Sequence, residues 1–401
     1  MFSSRVPADL QANRLARALA RARAAGRHLI DLTVTNPTAA GIEYPASVLE
    51  ALSHPDGAVY DPHPLGLRTA REAVAGDYAR RGVTIAPDRI VLTSSTSEAY
   101  SLLFKLLCEP SGDGVLVPSP SYPLFDHLTR LDGVTTAAYT LEYHGRWMVD
   151  SERVDAAWTP RTRAVLAVSP NNPTGSILSD AEIEALSMRC AEHDAALILD
   201  EVFADYPLTQ PATRTANDEP RTANRELRPA VRAVQCLTFR LGGLSKSAGL
   251  PQVKLGWMAV DGPEALVGEA LDRLELLCDT YLSVSTPVQV AAPLLIATGA
   301  RTRERILLRV LTNDGRLRER AAAHPAVEAL SVEAGWSAVL RIPSRASEED
   351  VVLDLLDRDG VVVHPGFFFD FPHEAFLVVS LLPPPAEFDE GIRRVLHRVG
   401  G

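Results

Sequence analysis

The chain has 401 residues, of which 46% are hydrophobic and 23% charged, a balance that excludes global disorder. A formal net charge of -11 opposes non-specific nucleic-acid binding, because phosphate backbones attract basic surfaces. The first residues lack the apolar core of a signal peptide, and no uncharged stretch is long enough to span a bilayer, so a cytoplasmic protein without a membrane partner is expected.

Residues 10–25 have the pattern of an amphipathic helix, with Leu15 and Leu19 on one face and Arg14, Arg17 and Arg21 around the other. Gly26 suits its C-terminal end, a short strand is expected at 28–34, and Pro37 opens a loop. Strands then alternate with helices. Residues 90–92 lead into a helix over 98–107, and 115–117 into a helical stretch from Tyr122. Residues 164–168 precede a helix opening near Ser179, where Ser179 and Glu182 form a capping-box pattern, and 196–199 is a short buried strand. Continuous apolar runs between helices predict a parallel sheet covered on both faces. Residues 209–232, rich in Pro, Thr, Arg and Asn, predict an irregular insertion. Strands at 233–239 and 257–260 and helices at 263–282 and 301–323 follow. The remainder alternates as strand, helix, strand, strand, helix, which suggests a separate α+β domain from about residue 290. Cys108, Cys190, Cys236 and Cys278 match no metal-ligand spacing, so reduced, buried thiols and no metal are expected.

Four local patterns carry chemistry. Thr93-Ser-Ser-Thr-Ser-Glu98 joins a strand to a helix, where hydroxyls and free backbone N–H groups suit a phosphate or an ordinary N-cap. Ser169-Pro-Asn-Asn-Pro-Thr-Gly175 follows a buried strand and is a ligand loop or simply a turn. Asp200-Glu201 closes a strand, at the edge where open α/β sheets place ligands. Ser245-Lys246 lies in Gly242-Gly-Leu-Ser-Lys-Ser-Ala-Gly249.

In this order the four patterns resemble the fold-type-I pyridoxal-phosphate aminotransferases of the class I/II group. The resemblance also takes in Leu32-Thr-Val-Thr-Asn-Pro37, Tyr60-Asp-Pro-His-Pro-Leu-Gly66-Leu-Arg68 and His364-Pro-Gly366. It implies an α/β fold: a large domain with a mostly parallel sheet covered by helices, plus a smaller α+β domain. The expected division is an N-terminal arm with part of the small domain at 1–50, the cofactor-binding domain at 51–290 and the small domain at 291–401. The implied cofactor is pyridoxal 5'-phosphate, held as a Schiff base by Lys246, which also moves the substrate's α-proton. Asp200 matches the acid beneath the pyridine nitrogen, which makes the ring a better electron sink. Asn172 matches the donor to the phenolic oxygen, and Tyr122 the aromatic that stacks on the ring. Ser95, Thr96 and Ser97 match the phosphate turn, with Ser245 as a further contact. Tyr60 matches a tyrosine that reaches the phosphate from a partner subunit, which implies a homodimer with shared sites.

Departures from the family pattern are equally specific. Phe203 stands where a tyrosine is usual, three residues past Asp200. Lys254 replaces a phosphate-binding arginine, keeping the charge without the fork, and Gly243 replaces a serine. The arginine that holds the substrate carboxylate corresponds to Val378, and no arginine occurs between Arg358 and Arg393. Lys254 and Arg68 are candidate substitutes. The aromatic run Phe367-Phe-Phe-Asp-Phe371 fits either a substrate pocket or a domain core.

The expected activity is amino-group transfer between an amino acid and a 2-oxo acid. The alternative keeps the cofactor but ends in elimination, racemisation, cyclisation or oxidation. A third reading, an effector-sensing domain of a transcription regulator, needs a DNA-reading module, and about 35 residues before Thr35-Asn36-Pro37 are too few for one.

Overall fold

The computed structural model describes residues 1–208 and 234–400; the insertion expected at 209–232 lies outside the described residues. An eight-stranded sheet forms the centre. Its spatial order is Ile90–Thr93, Gly256–Asp261, Thr238–Gly243, Ala196–Asp200, Thr162–Val168, Gly114–Ser119, Thr135–Tyr143 and Trp147–Val149. The run from Thr238–Gly243 through Thr135–Tyr143 pairs in parallel. Gly256–Asp261 is antiparallel to both its neighbours, and Trp147–Val149 closes the far edge antiparallel.

The continuous apolar runs are explained by burial on both sides. Along the middle strands Ala164, Leu166, Ala196 and Ile198 pack toward Leu102 and Leu103 of the helix Thr96–Leu107 and Leu274 of the helix Glu264–Tyr281. Val165, Ala167, Leu197 and Leu199 alternate to the opposite side, against Leu186 and Cys190 of the helix Asp180–Glu192. That helix opens on the expected capping box: the Ser179 side chain accepts from the Glu182 N–H, and Glu182 returns to the Ser179 N–H.

A second, four-stranded antiparallel sheet orders Glu328–Ala329, Ser337–Arg341, Phe376–Ser380 and His364–Pro365. Its core joins both ends of the chain. Leu15, Ala18, Ile30 and Leu32 pack with Val379, Phe388, Ile392 and Leu396 of the C-terminal strand and helix. The N-terminal helix Arg14–Ala24 buries Leu15 and Ala18 as its periodicity requires, and its arginines face solvent.

Several elements differ from expectation. The strand expected at 28–34 is only Ile30–Asp31, paired in parallel with Val361–Val362. The strand expected at 233–239 is Thr238–Gly243 and runs directly into the glycines before Lys246. The helix expected at 301–323 begins at Thr286 and continues to Ala322 through Pro293. Proline normally breaks a helix, but Ala291, Ala292 and Leu295 around it are buried, and packing carries the helix across. Thr135–Tyr143 and Trp147–Val149 escape the sequence reading because their burial is mixed and their residues form no apolar run. All four cysteines are buried and free, and the described residues contain no cluster suited to a metal. No described helix is long and apolar enough to cross a membrane.

Candidate active site

The four chemistry-bearing patterns come together because each follows a strand that ends at the same edge of the central sheet. Thr93, Gly256 and Gly243 are lateral neighbours. Asp200 pairs with Leu241, just before the glycines, and Val168 pairs with Asp200. The turns carrying Ser95, Lys246, Asp200, Asn172 and Tyr122 therefore line one rim, in strand order rather than chain order.

At one end of the rim, Ser95 caps the helix Thr96–Leu107, its side chain accepting from the Glu98 N–H at 3.2 Å, and the Glu98 carboxylate accepts from the Ser94 N–H at 2.6 Å. The N–H groups of Thr96 and Ser97 have no partner among the described residues. Two free donors at a helix N-terminus are a ready anion site. Gly256 presses directly on this turn: a Cβ there would lie 2.9 Å from the Ser95 carbonyl carbon. Lys254, two residues earlier, is exposed and left-handed (φ 62°) at the same edge. At Gly243 a Cβ would come 3.2 Å from the backbone of Leu255 and Gly256, so the glycine that stands for a serine lies where strands approach closely.

Asp200 is buried at the centre of the rim. Tyr100 donates its hydroxyl to Oδ2 at 2.8 Å, and the Val202 N–H donates to Oδ1 at 3.1 Å. Burial nevertheless dominates and pushes the carboxyl up to about 6, against those hydrogen bonds and the nearby Lys246 charge. Lys246 sits in the short helix Leu244–Ser247. Its amine makes no hydrogen bond or ion pair among the described residues; the Trp336 and Phe203 rings lie 5.0 and 5.4 Å away. Burial lowers its pKa and the Asp200 charge opposes the shift. A lysine desolvated in this way is pre-set toward the neutral, nucleophilic amine.

Asn172 accepts from the Ser337 hydroxyl through Oδ1 at 3.3 Å, leaving its Nδ2 as a donor. Its neighbour Asn171 does the structural work of the loop, bonding the Pro120 carbonyl and Thr174 and accepting from Ser121. These bonds tie the Asn172 turn to the turn bearing Tyr122, whose ring is exposed. Ser245 is half-buried beside Lys246.

Other sequence candidates are not brought to this rim. Tyr60 is 76% exposed and lines a separate depression with His63, Leu282 and Gln289. Arg68 is consumed at the surface by Glu72 at 2.8 Å and Asp88 at 2.7 Å, so it is no substitute for the carboxylate arginine. Val378 is buried among Leu330, Val339, Phe369 and Phe371. Its cross-strand neighbours are Val339 and His364, and burial lowers the His364 pKa, so neither supplies a cation. Phe369 and Phe371 thus belong to a core, while Phe367 is exposed. Sequence reasoning missed Tyr100, Trp336 and Ser337. Tyr100 follows the Ser95 cap by little more than one helical turn, which was its only local signal; Ser337 opens a strand of the second sheet, Trp336 immediately precedes it, and neither had one.

Comparison with known proteins identifies the family. Residues 27–395 match the family model described as aminotransferase class I and II. The alanine aminotransferase of Mycobacterium tuberculosis is 27% identical over 394 residues, covering 94% of this chain and 86% of the relative. The glutamate-pyruvate aminotransferase of Escherichia coli is 25% identical over 389 residues, covering 94% and 91%. Among solved structures, the alanine aminotransferase of Pyrococcus furiosus superposes with a TM-score of 0.82 at 22% identity, covering 96% of this chain and 99% of that one, and shares the fold. The chain therefore belongs to the class I and II aminotransferases, fold-type-I enzymes that transfer an amino group between an amino acid and a 2-oxo acid.

Proposed function

We propose that the rim binds pyridoxal 5'-phosphate covalently at Lys246 and uses it to exchange an amino group between an amino acid and a 2-oxo acid. The residues fit the group. The free Thr96 and Ser97 N–H groups, with Ser95, Ser245 and Lys254 nearby, would hold the phosphate; Tyr122 would cover the ring and Asn172 Nδ2 would donate to its phenolic oxygen. Once bound, the cofactor supplies a ring that withdraws electrons from the substrate's α-carbon. Asp200 would keep a proton at the ring nitrogen, and the positive charge there would offset its own desolvation. Lys246 would hold the cofactor and, as a free amine, would accept the substrate's α-proton and later give it back. The downward shift of its pKa by burial favours the neutral amine that such a role needs.

One observation carries this reading: Asp200, buried at the end of its strand, and Lys246, half-buried in the turn after the adjacent parallel strand, share one rim, and in each the shift caused by burial outweighs the opposing pull of the other's charge. The relatives are named for alanine, glutamate and pyruvate, and we take these as the first substrates to test. Val378 leaves the substrate carboxylate to be held differently from the family's arginine.

We also propose a cytoplasmic homodimer with shared sites. Val59, Tyr60, Leu276 and Tyr281 are exposed apolar side chains on segments that meet around one depression, the kind of patch a second copy covers. Tyr60 on that patch would reach the partner's phosphate. Light scattering of the purified protein tests this, and a monomer at all concentrations sinks it.

The chemical test uses amino acid alone. Release of the oxo acid, with loss of the cofactor's original visible absorbance, is expected, and Lys246→Ala should abolish both. Ammonia released in place of the oxo acid would indicate elimination instead.

A further inference from the structure

The helix Leu244–Ser247 is too short to satisfy the carbonyl groups at its own C-terminal end. Three side chains from distant parts of the chain do so. Tyr206 donates its hydroxyl to the Lys246 carbonyl at 2.5 Å, and Arg303 donates to the Ser247 carbonyl at 3.1 Å. The Tyr44 hydroxyl donates to the Gly249 carbonyl. The turn that carries the lysine is thus pinned from the N-terminal segment, from the loop after Asp200 and from the long helix Thr286–Ala322.

Of the three, Tyr206 is the one that reaches both ends of Lys246. Its hydroxyl holds the lysine's carbonyl. Its ring, fully buried, packs edge-on against Trp336 with centroids 5.0 Å apart, and the Trp336 ring lies 5.0 Å from the lysine's Nζ. Phe203 meets the same indole edge-on at 5.3 Å and stands 5.4 Å from Nζ. The segment bearing Tyr206 is itself fastened: the adjacent Asp205 pairs with Arg80 at 2.7 Å and approaches Arg303 at 3.9 Å, the same arginine that holds Ser247.

We propose that Tyr206 is a positioning residue for Lys246, its hydroxyl holding the lysine's backbone while its ring, through Trp336, sets the wall against which the amine rests. The proposal rests on the assignment of Lys246 as the cofactor lysine. Tyr206 acts only through Lys246 and Trp336. The Lys246 carbonyl also accepts from the Gly249 N–H at 3.1 Å, so removing the phenol leaves that carbonyl partnered and the fold intact.

The test is Tyr206→Phe in the holoenzyme, which keeps the ring and removes the hydroxyl. Borohydride fixation and peptide mapping come first on the unaltered enzyme. A label missing from Lys246 would overturn the lysine assignment and this proposal with it. With Lys246 labelled, kcat of the amino-acid half-reaction should fall about tenfold while KM stays within about twofold, because misplacing a reacting group by a fraction of an ångström costs up to about a hundredfold in rate. The pH midpoint of the bound cofactor's visible spectrum should move as well, a change that a loss of packing elsewhere would not cause. An unchanged kcat and spectrum would overturn the proposal. So would a variant that cannot fold, since the hydroxyl would then be structural.

Discussion

Replacing Asp200 by asparagine isolates the cost of keeping a carboxylate under the candidate cofactor site. Its carboxyl is raised from 3.8 to about 6, chiefly by burial. A shift of that size corresponds to roughly 3 kcal/mol. The folded-state value lies above the unfolded one, so the favourable contribution is complete below pH 3.8 and is lost as pH rises through about 6. In cofactor-stripped protein at about pH 8 the full penalty therefore applies, and at about pH 5 roughly half of it. Asparagine carries no charge but can lose one of the two hydrogen bonds from Tyr100 and Val202, worth about 1 kcal/mol. Asp200→Asn should thus exceed the wild type by about 2 kcal/mol near pH 8 and by well under 1 kcal/mol near pH 5. Urea unfolding of both stripped proteins at the two pH values measures this. A stability difference that does not change with pH, or that narrows as pH rises, would refute the reasoning. In the loaded enzyme the same substitution should stabilise nothing and should slow the half-reaction, because on the proposed assignment the ring nitrogen would lose its acid.

Three further outcomes are expected. Gly256→Ala places a Cβ 2.9 Å from the Ser95 carbonyl carbon and 3.0 Å from Thr93 Oγ1, so it should cost about 1–3 kcal/mol and weaken cofactor binding together; a melting curve and a cofactor titration that both match wild type would contradict the close approach. Val378→Arg, which restores the family's residue type, buries a charge among Leu330, Val339, Phe369 and Phe371 and should destabilise by about 3 kcal/mol or more without lowering KM for amino acids; improved KM at unchanged melting temperature would show room for the side chain. Tyr100→Phe removes a donor to a buried carboxylate and should cost about 1.5–3 kcal/mol in urea unfolding near pH 8, whereas no loss there would mean that Asp200 finds another partner.

Much of the site was legible in the chain itself because its chemistry is local. A buried run followed by a hydroxyl turn, an Asn-Pro-Thr-Gly loop, a strand-end acid and a Ser-Lys turn are each decided by neighbouring residues, and each was found where expected. The capping box at Ser179 and the buried Leu15 of the N-terminal helix are of the same kind, although Ala18 rather than Leu19 is the fully buried neighbour. Tertiary structure alone decided the rest. Strand order makes Thr93 and Gly243 flank Gly256, although they lie far apart in sequence, and so puts the Ser95 turn on the same rim as Lys246. The pKa values of Asp200 and Lys246 follow from desolvation, a property of everything packed around them rather than of their neighbours in the chain. Burial likewise carries the long helix through Pro293, turns Val378 into core, and brings Trp336 and Tyr206 against a lysine that no local pattern connects to them.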